Sequence, residues 1–283
     1  MMTISELDFN LIKPVIDYAL NEDLGSGDIT TNSLVPFDLQ AKATMVAKSS
    51  GVIAGLGVAE YVFKSLDKDI LWKTYINDGE HVIKGDLILE ISGSYRALLS
   101  GERLALNFLQ RMSGIATMTD NYKNQLSGSK VKILDTRKTV PGLRILDKYA
   151  VRMGGGTNHR IGLYDMVLIK DNHIKVAGGI TNAVGQIKKN IASGILIEVE
   201  TTSIAEVKEA LTTGVDIIML DNMDNNTMRE CVKIINGQAK VEASGNMTAE
   251  RLREVAETGV DFISIGALTH SVTALDISMN IES

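Results

Sequence analysis

The sequence predicts an α/β protein in which an incomplete βα barrel follows a mixed α+β domain. Three observations lead there. After Lys130, short apolar runs alternate with helical stretches, and the runs end at Asp135, Lys170, Glu200, Asp221, Ser244 and Gly266. Successive ends lie roughly twenty to thirty-five residues apart, the spacing of right-handed βα units, but only six strands are clear where a closed barrel has eight. Before Lys130, short alternating segments separated by Asp-Gly and Lys-Gly-Asp turns read instead as a compact sheet.

Taken in order, Phe9, Ile12, Val15, Ile16 and Ala19 recur at helical spacing, and the pattern fades at Asn21 to Gly25. Alternation from Ala41 to Val46 predicts a strand, and Gly57 to Leu66 a short helix. Three strands follow at 71–76, 81–83 and 87–91, with turns at Asp78-Gly79 and Lys84-Gly85-Asp86. From Tyr95 to about Leu126 the stripe Leu98, Leu104, Phe108, Leu109 and Met112 predicts one long or broken helix, with Gly101 and Gly114 as its weak points. The domains expected are residues 1–112, an α+β domain; 113–268, the barrel-like catalytic domain; and 269–283, a tail packing back on the first domain.

Composition narrows the function. No apolar run approaches the roughly eighteen residues of a membrane span, and no polybasic or lipidation motif is present. The single cysteine, Cys231, excludes an intramolecular disulfide framework, and Met1 to Glu6 lacks the pattern of a secretory leader, so a cytoplasmic location is expected. A net charge of −6 argues against nucleic acid as a partner. The charge is unevenly spread, however: residues 130–175 hold ten Lys or Arg against four Asp, together with His159 and His173. A cationic stretch of this kind can be a solvated face or a local anion site.

Strand ends decide between them, because barrel enzymes build their sites where the βα loops converge. Asp135, Lys170, Glu200 and Asp221 each close an apolar run with a charge; one could be a helix cap, but four together favour a site. Arg137, Lys138, Arg160 and Lys170 suit a ligand with several negative charges, the guanidinium groups gripping carboxylate or phosphate in bidentate fashion. Glu200 and Asp221 suit Mg²⁺ beside a pyrophosphate, or sugar hydroxyls. The last two βα loops, Ser244-Gly245-Asn246 and Ile265-Gly266-Ala267, offer small residues near helix starts for a terminal phosphate. Gly154-Gly155-Gly156 fits neither a P-loop nor a dinucleotide fingerprint.

Several motifs are similar to those of the quinolinate phosphoribosyltransferases. They are Asp135-Thr-Arg-Lys-Thr-Val-Pro-Gly-Leu-Arg144, Lys148-Tyr-Ala-Val-Arg152 and Gly154-Gly-Gly-Thr-Asn-His-Arg160. Glu22 to Thr31, Ser100-Gly-Glu-Arg103, Leu168 to His173, Glu198-Val-Glu200 and Leu220-Asp-Asn222 extend the likeness over nearly the whole chain. The resemblance implies transfer of the phosphoribosyl group of 5-phosphoribosyl 1-pyrophosphate to quinolinate with decarboxylation, in de novo NAD synthesis. It places Arg137, His159, Arg160 and Lys170 around the two carboxylates. Lys138, Glu200 and Asp221 fall with the phosphoribosyl donor and its Mg²⁺, held directly or through water, and Ser244 to Asn246 with Ile265 to Ala267 around the 5′-phosphate; Thr136 is a further substrate-binding candidate. Lys138, Lys170, Glu200 and Asp221 are the catalytic candidates. It also implies a homodimer or larger assembly in which Arg103 reaches the neighbouring subunit's site. Where many members read Ser-Gly-Gly, this chain has Ser244-Gly245-Asn246.

Alternatives carry their own signals. Within the family, nicotinate or another pyridine could be the acceptor, although several cations fit two carboxylates better than one. A Schiff-base aldolase would use Lys170 on a carbonyl. The turns of the first sheet resemble the hammerhead of biotinyl and lipoyl carriers, but no lysine is displayed on a tight turn.

Overall fold

The computed structural model describes residue 4 and residues 6–282. Most of the opening stretch read for a leader, and Ser283, lie outside these described residues. The chain forms two compact units, one of residues 4–120, 139–155 and 268–282, the other of residues 121–138 and 156–267.

In the first unit, α1 (Phe9–Leu24) starts where Asp8 accepts the Asn10 N–H at 2.9 Å, buries Ile12, Ile16 and Leu20 at a spacing of four, and ends at Gly25, whose φ is +52°. The short helix α2 (Ile29–Leu34) is capped by Asp28, whose carboxylate accepts the Thr31 N–H at 2.9 Å and its hydroxyl at 2.6 Å. Then come β1 (Gln40–Ala47), β2 (Gly51–Val52), α3 (Leu56–Leu66), β3 (Leu71–Thr74), β4 (His81–Val82), β5 (Leu87–Ser94) and α4 (Tyr95–Gln125). Helix α5 (Arg144–Met153) and the last strand, β12 (Ile277–Glu282), complete the unit.

Its sheet is antiparallel in the order β12-β1-β5-β3, with β2 and β4 as a separate pair. One face is apolar: Ala43, Met45 and Ala47 of β1 are buried and stand opposite Ile281, Met279 and Ile277 of β12. Helix α3 buries Val58, Ala59, Val62 and Phe63, and full burial of side chains the size of Val62 or Phe63 stabilises by about 1.5–3 kcal/mol each. Helix α4 is continuous, and its glycines are close-approach points rather than breaks. A Cβ on Gly101 would meet the Phe63 ring at 2.9 Å, and one on Gly114 would run into the Thr273 carbonyl. Gly154 is a third such point, against the Ala116 carbonyl of α4.

The expected boundary after residue 112 thus falls inside α4, which goes on burying Ile115, Ala116 and Thr119 in the same unit before the division at residue 120. Residues 139–155 join that unit as well, because α5 turns Leu146, Ala150 and Val151 into its core.

The second unit contains β6 (Lys132–Leu134), β7 (Val167–Ile169), β8 (Ile197–Thr201), β9 (Ile217–Asp221), β10 (Lys240–Ser244) and β11 (Phe262–Ser264). These pair in parallel in the order β6-β11-β10-β9-β8-β7. Consecutive strands are neighbours all the way round to β11, which pairs back to β6, so the sheet curls into a barrel left open between β6 and β7. Thr157 occupies the free side of β6: its N–H donates to the Ile133 carbonyl at 2.8 Å, and the Asp135 N–H donates to its own carbonyl at 3.2 Å. The crossovers are α6 (Asp171–Ala177) and α7 (Ile180–Asn190), then α8 (Ile204–Thr212), α9 (Asn225–Ile235) and α10 (Leu252–Ala256); α11 (Ala267–His270) follows β11.

Candidate active site

Strand register assembles the site. In parallel pairing, Glu200 stands opposite Met219, Met219 opposite Glu242, and Asp221 opposite Ser244, while Leu168 stands opposite Glu198. Side chains two apart share a face, so Lys170, Glu198, Glu200, Asp221, Glu242 and Ser244 all line one face of the sheet. The outer members of this set, Lys170, Glu200, Asp221 and Ser244, stand at the carboxyl ends of their strands. Lys170 Nζ donates to Glu200 Oε2 at 2.7 Å, so the two charges hold each other across neighbouring strands. The Lys170 backbone N–H donates to His173 Nδ1 at 3.0 Å, which fixes the start of α6.

Beyond β6, the Thr136 hydroxyl accepts the Lys138 N–H at 3.0 Å, a local turn that leaves the Lys138 side chain exposed. Arg137 is half-buried, and its Nε is buried without a hydrogen-bond partner among the described residues. Arg160 is 7% exposed and anchors to the Met166 carbonyl at 3.2 Å. Burial and then the charge of Arg137 lower the Arg160 pKa, with Glu198 and Asp165 opposing them. Two guanidinium groups that repel each other, one with an unpartnered buried nitrogen, form a cationic patch whose chemistry suits an anion.

Asp135, one of the four charged strand ends, is fully buried and acts as a bracket. Its carboxylate accepts the Asn158 amide at 2.6 Å and the His159 N–H at 2.8 Å. His159 is buried, with Nε2 3.0 Å from Glu198 and 3.4 Å from Glu242. Burial lowers its pKa and the hydrogen bonds and charge of the two carboxylates push it up, but the Arg160 N–H aimed at Nδ1 leaves only one ring nitrogen able to carry a proton, so the ring is neutral in this arrangement. The Arg160 N–H donates to Nδ1 at 2.8 Å, so Nε2 holds the ring proton and faces the carboxylates. These three side chains are close enough to enclose a cation. A histidine that ligates a metal, however, presents a bare nitrogen and donates from the other; here the polarity is reversed, and the trio is a hydrogen-bonded anchor. Burial and then the charge of Glu242 raise the pKa of Glu198.

At the far loops, Gly245 (φ +90°) and Asn246 (φ +48°) have left-handed backbone, and Ser244 is half-buried. Ile265 is buried and its N–H donates to the Leu134 carbonyl at 2.9 Å, so it braces the β11 end; Gly266 and Ala267 beyond it are half-buried. Thr136 to Lys138, His159, Arg160, Lys170, Glu200, Asp221, Ser244 to Asn246 and Ile265 to Ala267 therefore all belong to the barrel unit. Arg103 is an exposed residue of α4 in the other unit. Glu242 was not singled out from the sequence, although an acidic residue in the middle of Lys240-Val-Glu-Ala-Ser244, two positions before a strand end, was a signal for it.

An open βα barrel whose strand ends pair cations with carboxylates defines an enzyme that handles a polyanionic substrate. Residues 115–280 match the quinolinate phosphoribosyl transferase C-terminal domain and residues 28–113 the N-terminal domain. The chain belongs to the quinolinate phosphoribosyl transferase family. A chloroplastic nicotinate-nucleotide pyrophosphorylase (carboxylating) of Oryza sativa is 46% identical, over 96% of this chain and 78% of that one. The solved nicotinate-nucleotide pyrophosphorylase of Francisella tularensis superposes with a TM-score of 0.96 at 39% identity, all of both chains being covered. The NadC structure of Streptococcus pyogenes does so with 0.94 at 42%, over 97% of each.

Proposed function

We propose that this chain transfers the phosphoribosyl group of 5-phosphoribosyl 1-pyrophosphate to the nitrogen of quinolinate with loss of one carboxylate as CO₂, giving nicotinate mononucleotide and pyrophosphate for NAD biosynthesis. The observation that carries the reading is the juxtaposed pair Arg137 and Arg160, with its unpartnered buried Nε. Such a pair suits an acceptor with two carboxylates better than nicotinate, which has one.

Arg137, Arg160 and Lys170 hold the carboxylates and aim the ring nitrogen at the anomeric carbon, so that the encounter of two substrates becomes a positioned step. His159 supports this grip through the Arg160 backbone. Lys138 and Lys170 offset negative charge as pyrophosphate departs, and Ser244 to Asn246 with Ile265 to Ala267 surround the 5′-phosphate. Glu200 and Asp221, half-buried carboxylates on neighbouring strands, fit a hard cation. Bound there directly or through water, Mg²⁺ would supply charge neutralisation for the departing pyrophosphate. Once the ring nitrogen is quaternised, its positive charge stabilises the electron pair that the departing CO₂ leaves on the adjacent ring carbon, and a proton from water takes up that pair to give nicotinate mononucleotide, so no further organic cofactor is needed.

Arg103 would serve the site of a second copy, which makes a homodimer the smallest working unit. A single buried cysteine suits a reducing compartment and supports a cytoplasmic location. No helix among the described residues is long and apolar enough to cross a membrane. Purified protein incubated with 5-phosphoribosyl 1-pyrophosphate, Mg²⁺ and either quinolinate or nicotinate tests the assignment: CO₂ and pyrophosphate should form together with quinolinate alone. Pyrophosphate release with nicotinate at a comparable rate would overturn it.

A further inference from the structure

The loops after β9 and β10 are joined by one side-chain amide. Asn222 follows Asp221 directly and lies exposed, with a φ of +53°. Its Nδ2 donates to Asp221 Oδ2 at 2.8 Å, and its Oδ1 accepts the Asn246 amide at 3.2 Å. That oxygen also lies against the Gly245 Cα: a Cβ there would collide with Oδ1, so this close packing and the φ of +90° both call for glycine. The Asn222 N–H donates to the Ser244 carbonyl at 3.0 Å. From the other side, Arg251 donates to the Met223 carbonyl at 3.0 Å and the Gly245 carbonyl at 3.5 Å, spanning the same two loops.

Glycine would adopt the backbone of Asn222 more easily than asparagine does, and an exposed amide adds little to the core. What calls for asparagine is the pair of side-chain bonds, one to Asp221 and one to the Ser244–Asn246 loop. We propose that Asn222 is a positioning residue that sets the separation between Asp221 and Ser244–Asn246, and so matches the site to the length of the phosphoribosyl donor from its pyrophosphate to its 5′-phosphate. This rests on the function proposed above.

The inference separates binding of the donor from binding of the acceptor and from folding. In Asn222→Gly the backbone relaxes, and Tm stays level or rises. The KM for 5-phosphoribosyl 1-pyrophosphate should rise about tenfold or more while that for quinolinate stays within about twofold. Asn222→Asp keeps the shape but sets a carboxylate against Asp221, and should raise the donor KM further. An unchanged donor KM in Asn222→Gly overturns the inference while leaving the proposed function standing. Parallel rises in both KM values with a fallen Tm also overturn it, since that is the mark of a merely structural role. A parent protein with no quinolinate-dependent CO₂ release removes the function itself and the inference with it.

Discussion

Arg111 and Arg137 are both half-buried arginines, and only their surroundings distinguish them. Arg111 is spent within its own unit: Nε and Nη2 donate to the two oxygens of Asp147 at 3.0 and 2.9 Å, and Asp147 is fully buried. Arg137 has an unpartnered Nε and a repelling neighbour in Arg160. The two should fail differently. Arg111→Ala strands a buried carboxylate and should cost about 3–5 kcal/mol in denaturant unfolding. Arg137→Ala relieves a repulsion, so Tm should hold or rise while the quinolinate KM increases about tenfold or more; a lowered Tm with unchanged KM would contradict the site. The sequence displayed the charged strand ends Lys170, Glu200 and Asp221, since each closes an apolar run. It could not show that Asp135, of the same appearance, is turned inward as a bracket, because that depends on Asn158 and His159 being brought alongside across the fold.

Among the elements, the long helix and the βα order were legible because their periodicity is local: α4 was expected from 95 to about 126 and runs Tyr95–Gln125. What Gly101 and Gly114 do was not legible, since both serve contacts with distant chain, the Phe63 ring and the Thr273 carbonyl. Helix starts carry their own test. Asp224 caps α9, accepting the N–H groups of Asn226 and Thr227 at 2.8 and 3.0 Å and the Thr227 hydroxyl at 2.7 Å. The Thr227 side chain foremost, then the backbone bonds, hold its pKa below the ordinary 3.8. A depressed carboxylate stabilises the fold above its unfolded pKa and loses that contribution as pH falls through the folded value. Asp224→Ala should therefore melt about 2–4 °C below the parent at neutral pH, and thermal scans should show the gap narrowing in acid, below the ordinary 3.8. A gap independent of pH would mean that the carboxylate charge plays no part in the cap.

At the scale of the whole chain, the two units are interleaved: the path enters and leaves the barrel unit twice, at 120/121, 138/139, 155/156 and 267/268. A pattern read along the sequence assigns contiguous domains, so a boundary at 112 was the natural expectation; only burial of Leu146, Ala150 and Val151 shows which unit claims α5. Shared use of Arg103 is tested at this scale too. Arg103→Ala and Lys170→Ala proteins, each inactive alone, should regain part of the parent activity after subunit exchange, because one mixed dimer site then has both residues intact. Exchange confirmed by mass without regained activity would exclude a site completed by a second copy. The open seam between β6 and β7 bears on the same site. Arg137 follows one of these strands and Lys170 follows the other, and among the described residues no ladder of backbone hydrogen bonds pairs the two strands. The span between these two proposed ligand cations is thus left to side chains and loops, and under the proposed function a small aromatic dianion would act as the missing rung between them.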